Sequence, residues 1–143
     1  MNSTLAKVDA VENGYDDAIM LGDNDVVAEG SGQNLFLIKN GKIYTPPIET
    51  GALGGITRKT VIEIANNLGL ETEETNINAD QLKDADELFF TGTATEVVGV
   101  VSVDGEDITD GKPGEITGNI RQKYLEIVNG ENEDFLHYLT LVK

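Results

Sequence analysis

Antiparallel hairpins are encoded at two places in this chain, and they constrain its fold more than any other feature. Asn40-Gly41 separates the apolar runs Leu35 to Lys39 and Lys42 to Tyr44. Asn-Gly readily takes the positive φ angles of a type I′ turn, so the two runs are expected to pair as neighbouring strands. Asp104-Gly105 gives the same signal after Val97 to Val103, a run rich in β-branched residues with Gly99 as an expected bulge. Ala18 to Leu21 and Val26 to Glu29 flank the turn Gly22-Asp23-Asn24-Asp25 and read as two more strands. Leu88 to Phe90 reads as a buried strand, and Thr75 to Ile77 as a short one.

Helical spacing separates these strands. Leu5, Val8 and Val11 recur at intervals of three, which predicts a helix over residues 3 to 12 that stops at Asn13-Gly14. Pro46-Pro47 and the glycines of GALGG interrupt residues 46 to 55. Thr57 is expected to open a second helix, with Val61, Ile62, Ala65 and Leu68 on one face and Gly69 at its end. Asn78 caps a short helical turn from Ala79 to Ala85. Glu115 to Val128 is a third long helix, with Ile116, Ile120, Tyr124 and Ile127 on its inner face and Asn129-Gly130 as its stop. Residues 135 to 142 are apolar without a decisive period. Strands and helices mix without regular βαβ alternation, so the fold class is mixed α/β of the α+β type. With 143 residues and no internal linker or repeat, the chain reads as one domain, large enough to close a core without disulfides or a metal.

Charge and composition then exclude several functions. Asp and Glu total 26 against 10 Lys and Arg, a formal net charge of −16. Such a surface repels phosphate backbones and anionic lipid, which disfavours nucleic acid and membranes as partners. A hydrophobic content of 39% is too high for a disordered acidic tail, so the charge is a solvated surface that serves solubility. The absence of cysteine excludes disulfide scaffolds, zinc ribbons and thiol nucleophiles, and it fits a reducing compartment. MNSTLAKVDAVENGYDD has no signal-peptide core, and no run approaches the ~18 apolar residues of a membrane helix. The expectation is a soluble, cytoplasmic protein.

Three segments carry candidate chemistry. Gly54-Gly55-Ile56-Thr57 precedes a helix, where unpaired N–H groups and the positive end of the dipole favour an anion. The Thr57 hydroxyl can cap that helix or bond a phosphate oxygen, and a plain capped helix would look the same. Thr91-Gly92-Thr93-Ala94-Thr95-Glu96 follows a strand and offers N–H groups and hydroxyls, as an ordinary strand turn also would. Glu29-Gly30-Ser31-Gly32-Gln33-Asn34 places a carboxylate at a strand end facing a cavity, or else a solvated Glu in a surface turn. His137, the single histidine, lacks a triad context and reads as a surface or packing residue. Asp104, Glu106, Asp107 and Asp110 lack the ligand order of a calcium loop, and Asp80, Asp84, Asp86 and Glu87 read as an acidic helix face. No metal site, Walker loop or nucleotide-fold glycine motif is present in the sequence.

Taken in order, the three segments are more specific than any alone. EGSGQNLF at 29 to 36, GGITR at 54 to 58 and TGTATE at 91 to 96 resemble the class IV, fold-type IV aminotransferases, which use pyridoxal 5'-phosphate (PLP). The likeness is greatest to the branched-chain amino-acid type, and KNGKIYTPP and LKDADELFFTGTA extend it. It runs from residue 2 to about residue 121 and covers the family's C-terminal, cofactor-binding domain, a pseudo-barrel. The resemblance implies that Glu29 bonds the pyridine nitrogen, keeping it protonated so that the ring can absorb electrons. It implies that the Gly32 backbone lies against one ring face and that Leu53 packs on the ring. Gly55, Ile56 and Thr57 then hold the phosphate at the helix start, with Gly92 and Thr93 as a further phosphate contact. Thr93 and Ala94 receive the substrate carboxylate. Gly54 departs from the proline common in the family.

The resemblance also implies what this stretch does not supply. The family's Schiff-base lysine and a cofactor-contacting tyrosine fall a few residues upstream of Asn2-Ser3. Lys7 sits about two helical turns beyond the required place. The small N-terminal domain, with its phosphate-binding arginine and much of the substrate pocket, also falls outside. The expected activity of the complete protein is transfer of an amino group from leucine, isoleucine or valine to 2-oxoglutarate. Its partners are amino-acid and 2-oxo-acid substrates, and homodimers or larger homo-oligomers are the family habit. The chain alone is expected to be inactive. The alternatives are a non-catalytic fragment that keeps the phosphate cup, a D-amino-acid aminotransferase and an aminodeoxychorismate lyase.

Overall fold

The computed structural model describes residues 3–140. In chain order the elements are helix α1 (Ser3–Glu12), strands β1 (Ile19–Leu21), β2 (Val27–Gly30), β3 (Asn34–Lys39) and β4 (Lys42–Thr45), and helix α2 (Ile56–Asn67). Then come strand β5 (Thr72–Glu74), helix α3 (Ala79–Lys83), strands β6 (Glu87–Gly92), β7 (Glu96–Val100), β8 (Ser102–Val103) and β9 (Glu106–Asp107), and helix α4 (Glu115–Val128). The result is the mixed α/β fold that the patterning predicts.

Both hairpin signals act as their turn chemistry requires. Asn40 and Gly41 have φ of 51° and 74°, and β3 and β4 pair across them with Lys39 opposite Lys42. Asp104 and Gly105 have φ of 52° and 79° and join β8 to β9. The main sheet has five strands in the order β5-β4-β3-β6-β7, antiparallel except for the β4–β5 pair. Alternation along β3 sends Phe36 and Ile38 to one face and Leu35 and Leu37 to the other. The first face packs under α2 and α4 with Val61, Ile64, Ile120 and Tyr124. Phe36 stacks on Phe89 there, with ring centroids 4.9 Å apart. The second face gathers Val27 of β2, Ile77, Leu82 of α3 and Ile108 into a separate core.

Several expectations need correction. The short strand lies at Thr72–Glu74 rather than Thr75 to Ile77, because pairing with β4 in register, Ile43 opposite Thr72, sets it. Val97 to Val103 is not one strand bulged at Gly99. Gly99 stays in register opposite Phe89, and the break falls at Val101. Gly99 is instead a close-approach glycine, since a Cβ there would lie 3.0 Å from Pro113. Helix α1 forms where predicted, but its stripe points outward: Leu5, Val8 and Val11 are exposed and Ala10 is the buried residue. Leu68 is the C-cap of α2 and exposed, and Ile64 takes its place in the core. In the apolar tail Phe135 is buried within a 3-10 turn, Glu133–Tyr138, and residues 141 and 142 lie outside the described part. His137 is exposed, 3.5 Å from Glu63 and packed beside Tyr138.

The acidic residues 80, 84, 86 and 87 do not form one helix face. Asp86 accepts from the Asn40 N–H and from Lys39 Nζ, which anchors the first hairpin. Glu87 caps α4, accepting from the N–H of Ile116 at 3.0 Å, the N–H of Thr117 at 2.8 Å and the Thr117 hydroxyl at 2.6 Å. A carboxylate at a helix start satisfies donors that the helix leaves unpaired. Glu87→Ala is therefore expected to lower stability by about 1–2 kcal/mol. A lower urea midpoint at unchanged slope is the expected result. An unchanged midpoint would show that water replaces the carboxylate at no cost.

Candidate cofactor-binding site

The three motifs meet at one end of the sheet. Asn34 at the start of β3 is paired with Thr91 near the end of β6, so the β2–β3 turn and the β6–β7 turn lie side by side. A Cβ placed on Gly92 would lie 3.4 Å from the Gly32 carbonyl oxygen. The loop entering α2 is tied to the same place. Glu29 Oε2 accepts the Leu53 N–H at 2.8 Å, and Asn34 donates its side-chain N–H to the Leu53 carbonyl at 2.7 Å. A Cβ on Gly55 would lie 2.6 Å from Asn34 Oδ1, so only glycine allows this approach.

Two long helices start on glycine, and their first turns differ. Gly114 is the N-cap of α4, and Glu87 occupies the amides that follow it. Gly55 is the N-cap of α2, and among the described residues no side chain caps that helix. Among the described residues, the N–H groups of Ile56 and Thr57 have no protein acceptor. The first turn of α2 also contains no Asp or Glu. Unpaired amides at the positive end of a twelve-residue helix make a binding place for an anion.

Thr57 is neither the first helical residue nor the cap, which corrects the sequence expectation. Helix α2 begins at Ile56, and Thr57 faces inward and is buried. Leu53 and Ile56 are 70% and 79% exposed, so an apolar surface adjoins the open amides. Gly32 is exposed with open space beside it, Thr93 and Ala94 are exposed at the tip of the β6–β7 turn, and Glu29 is half-buried. Gly54 is exposed, and a Cβ there would meet Ile48 at 3.4 Å. The arrangement presents a carboxylate, an apolar wall and a cluster of neutral donors to one surface.

The family model for "Amino-transferase class IV" matches residues 1–103. The chain belongs to that family. It is similar to the branched-chain-amino-acid aminotransferase of Pseudomonas aeruginosa, 44% identical over 143 residues, covering 100% of this chain and 46% of the relative. It is also similar to the probable branched-chain-amino-acid aminotransferase of Aquifex aeolicus, 45% identical, covering 99% of this chain and 46% of the relative. Among solved structures it matches the branched-chain aminotransferase from the thermophilic archaeon Thermoproteus uzoniensis with norvaline. That match has a TM-score of 0.92 at 45% identity and covers 97% of this chain and 46% of the other. The chain thus spans less than half the length of the relatives it matches. Among the described residues, no helix is long and apolar enough to cross a membrane.

In this class IV aminotransferase chain, one organising residue escapes a reading of the sequence. The Asp17 carboxylate accepts from Lys7 Nζ at 2.8 Å, from Gln33 Nε2 at 3.0 Å, from the Ala18 N–H at 2.7 Å and from the Ser31 hydroxyl. It thereby fastens α1 to the β2–β3 turn that carries Gly32. Lys7 also donates to the Asp16 carbonyl, so its ammonium is held on this side of the turn. No local pattern marks Asp17, since its partners lie up to sixteen residues away. A cavity of about 730 Å³ opens beside it, between α1, β1 and β7, with Tyr15, Gln33 and Phe90 among its walls.

Burial pushes the Asp17 carboxyl up, but the hydrogen bonds from Lys7, Ser31, Gln33 and Ala18 together outweigh it and hold it at about 2, against an ordinary 3.8. A depressed folded pKa adds stability above the unfolded value, and that stability is lost as pH falls through the folded one. Stability should therefore drop between about pH 4 and pH 2 in part through Asp17. Asp17→Asn is expected to be less stable near neutral pH and to show a shallower acid dependence in that window. Parallel acid curves for the two proteins would refute the assignment.

Proposed function

We propose that this chain is the cofactor-binding domain of a two-domain branched-chain amino-acid aminotransferase, and that it binds PLP. The observation that carries the reading is the uncapped start of α2 lying one loop away from the Glu29 carboxylate. PLP presents a phosphate anion at one end and a basic ring nitrogen at the other. The donor set fits both: unpaired N–H groups suit the phosphate, and a fixed carboxylate suits the nitrogen. Names of relatives at 44–45% identity support the substrate class.

Each residue has a defined task in this reading. The N–H groups of Ile56 and Thr57 after Gly55, with Thr93 following Gly92, hold the phosphate. Glu29 holds a proton at the ring nitrogen. The Gly32 backbone and the Leu53 side chain lie against the ring. The turn amides at Thr93 and Ala94 orient the substrate carboxylate. When bound, PLP supplies an electron sink for proton loss at the substrate's α-carbon.

Proton transfer and covalent attachment need a lysine that the resemblance places ahead of Asn2. Lys7 is bound to Asp17 instead. In this reading the tasks of residues 1–143 are binding and orientation. In the complete enzyme the amino group passes from leucine, isoleucine or valine to 2-oxoglutarate. The outward Leu5, Val8 and Val11 of α1 suit a helix face covered by the small domain.

The test has two parts. This chain should bind PLP, and phosphate-free pyridoxal should bind on the order of tenfold more weakly or worse. Equal affinity for both would refute the phosphate assignment. In the complete enzyme, Glu29→Ala should leave the fold intact and slow transamination by about 100-fold or more, as loss of an oriented charge in an active site does. A near-normal rate would refute the role of Glu29.

A further inference from the structure

We infer that Asn34 is a positioning residue that sets Glu29 and the start of α2 at a fixed separation, so that one side chain aligns both ends of the cofactor site. The inference deepens the proposed function and rests on it for the identity of the ligand.

Asn34 is 6% exposed and stands at the first position of β3, paired with Thr91. Its side-chain N–H donates to the Leu53 carbonyl at 2.7 Å and to Glu29 Oε2 at 3.4 Å. Glu29 Oε2 in turn accepts the Leu53 N–H at 2.8 Å. The three residues close a ring in which both polar groups of Leu53 are held, one by each partner. The Leu53 carbonyl also accepts the Gly55 N–H at 2.8 Å, which carries the constraint into the N-cap of α2. Asn34 Oδ1 packs against Gly55 so closely that a Cβ cannot fit between them.

The chemistry of an amide suits this place better than that of its near-isostere. Aspartate would keep the shape, lose the donor and set a second carboxylate against Glu29. Like charges so close disfavour ionisation of both groups. An amide instead sets a donor beside the Glu29 carboxylate without adding a second charge. Both bonds to Glu29 fall on Oε2, and among the described residues Oε1 accepts none. That oxygen is the one available to a ligand.

The experiment measures amide exchange and ligand affinity in this chain. In Asn34→Asp, exchange at the Leu53 and Gly55 amides should rise by on the order of tenfold, as expected when the hydrogen bond that holds this loop is lost. Amides of Phe36 and Phe89 should keep their protection, which shows that the sheet is intact. PLP affinity should fall by a similar factor. Asn34→Ser, with too short a side chain to reach Leu53, gives the same test should the aspartate variant fail to fold. Gly55→Ala alone should weaken PLP binding, and adding Asn34→Ala should cost little more, because the two changes act on one contact. Unchanged exchange at Leu53 in a folded variant, or an additive double variant, would overturn the role of Asn34. Absence of PLP binding by the unaltered chain would overturn the proposed function instead, while exchange at Leu53 would still decide the role of Asn34.

Discussion

Strand β3 is bonded along both edges and buried on both faces. β4 and β6 take its backbone donors and acceptors, and Asn34 through Ile38 are all buried. A strand in that position divides the protein into two cores, one under α2 and α4 and one under α3 and the ribbons. It also fixes the site. Residue 34 begins β3, so the turn before it, the strand end beside it at Thr91 and the loop held by its side chain all share one rigid origin. A one-residue slip would exchange the faces of Phe36 and Leu35 and move Asn34 off the helix side. Site geometry and core packing thus depend on the same register.

The two glycine-started helices show how that frame separates structure from function. Helix α4 uses its first turn to close the fold, with Glu87 seated on its amides. Among the described residues helix α2 has no comparable partner, although Asn34 packs against the residue just before it. Burying apolar residues such as Val61 and Ile64 secures α2 without a cap. A helix that does not need its N-terminal donors for stability can offer them to a ligand.

Local chemistry makes much of this legible in the sequence. The hairpin at Asn40-Gly41 needs only its own two residues, and the inner face of α4 needs only its period. Strand β5 is misplaced by patterning because Thr72-Glu73-Glu74 has no apolar pattern of its own, and the free edge of β4 creates it. Periodicity marks α1 as a helix, yet a stripe of Leu5, Val8 and Val11 does not say what lies opposite. Gly99 looks like a bulge because Pro113, fourteen residues on, is invisible from its neighbours. The site is legible as three motifs in order. The bonds that join them, from Asn34 to Leu53 and from Asp17 to Gln33, are long-range and leave no local trace.

A net charge of −16 repels an anionic ligand at long range, whereas binding is decided at the helix start. At physiological salt, charges farther than about 8 Å through solvent are largely screened, so the total matters less than what stands at the helix start. There the distribution is biased. The first turn of α2 has no acid and includes Arg58 and Lys59, whereas that of α4 includes Glu115 and receives Glu87. Arg58 is itself buried and paired with Glu74, so it steadies the helix rather than reaching outward. Besides the exposed Lys59 and the Glu29 carboxylate, what the site offers is neutral: backbone N–H groups, the Thr93 hydroxyl, and the exposed faces of Leu53 and Ile56. Neutral donors in fixed positions can hold an anion without a mobile cation, provided that nothing in the fold has already taken them.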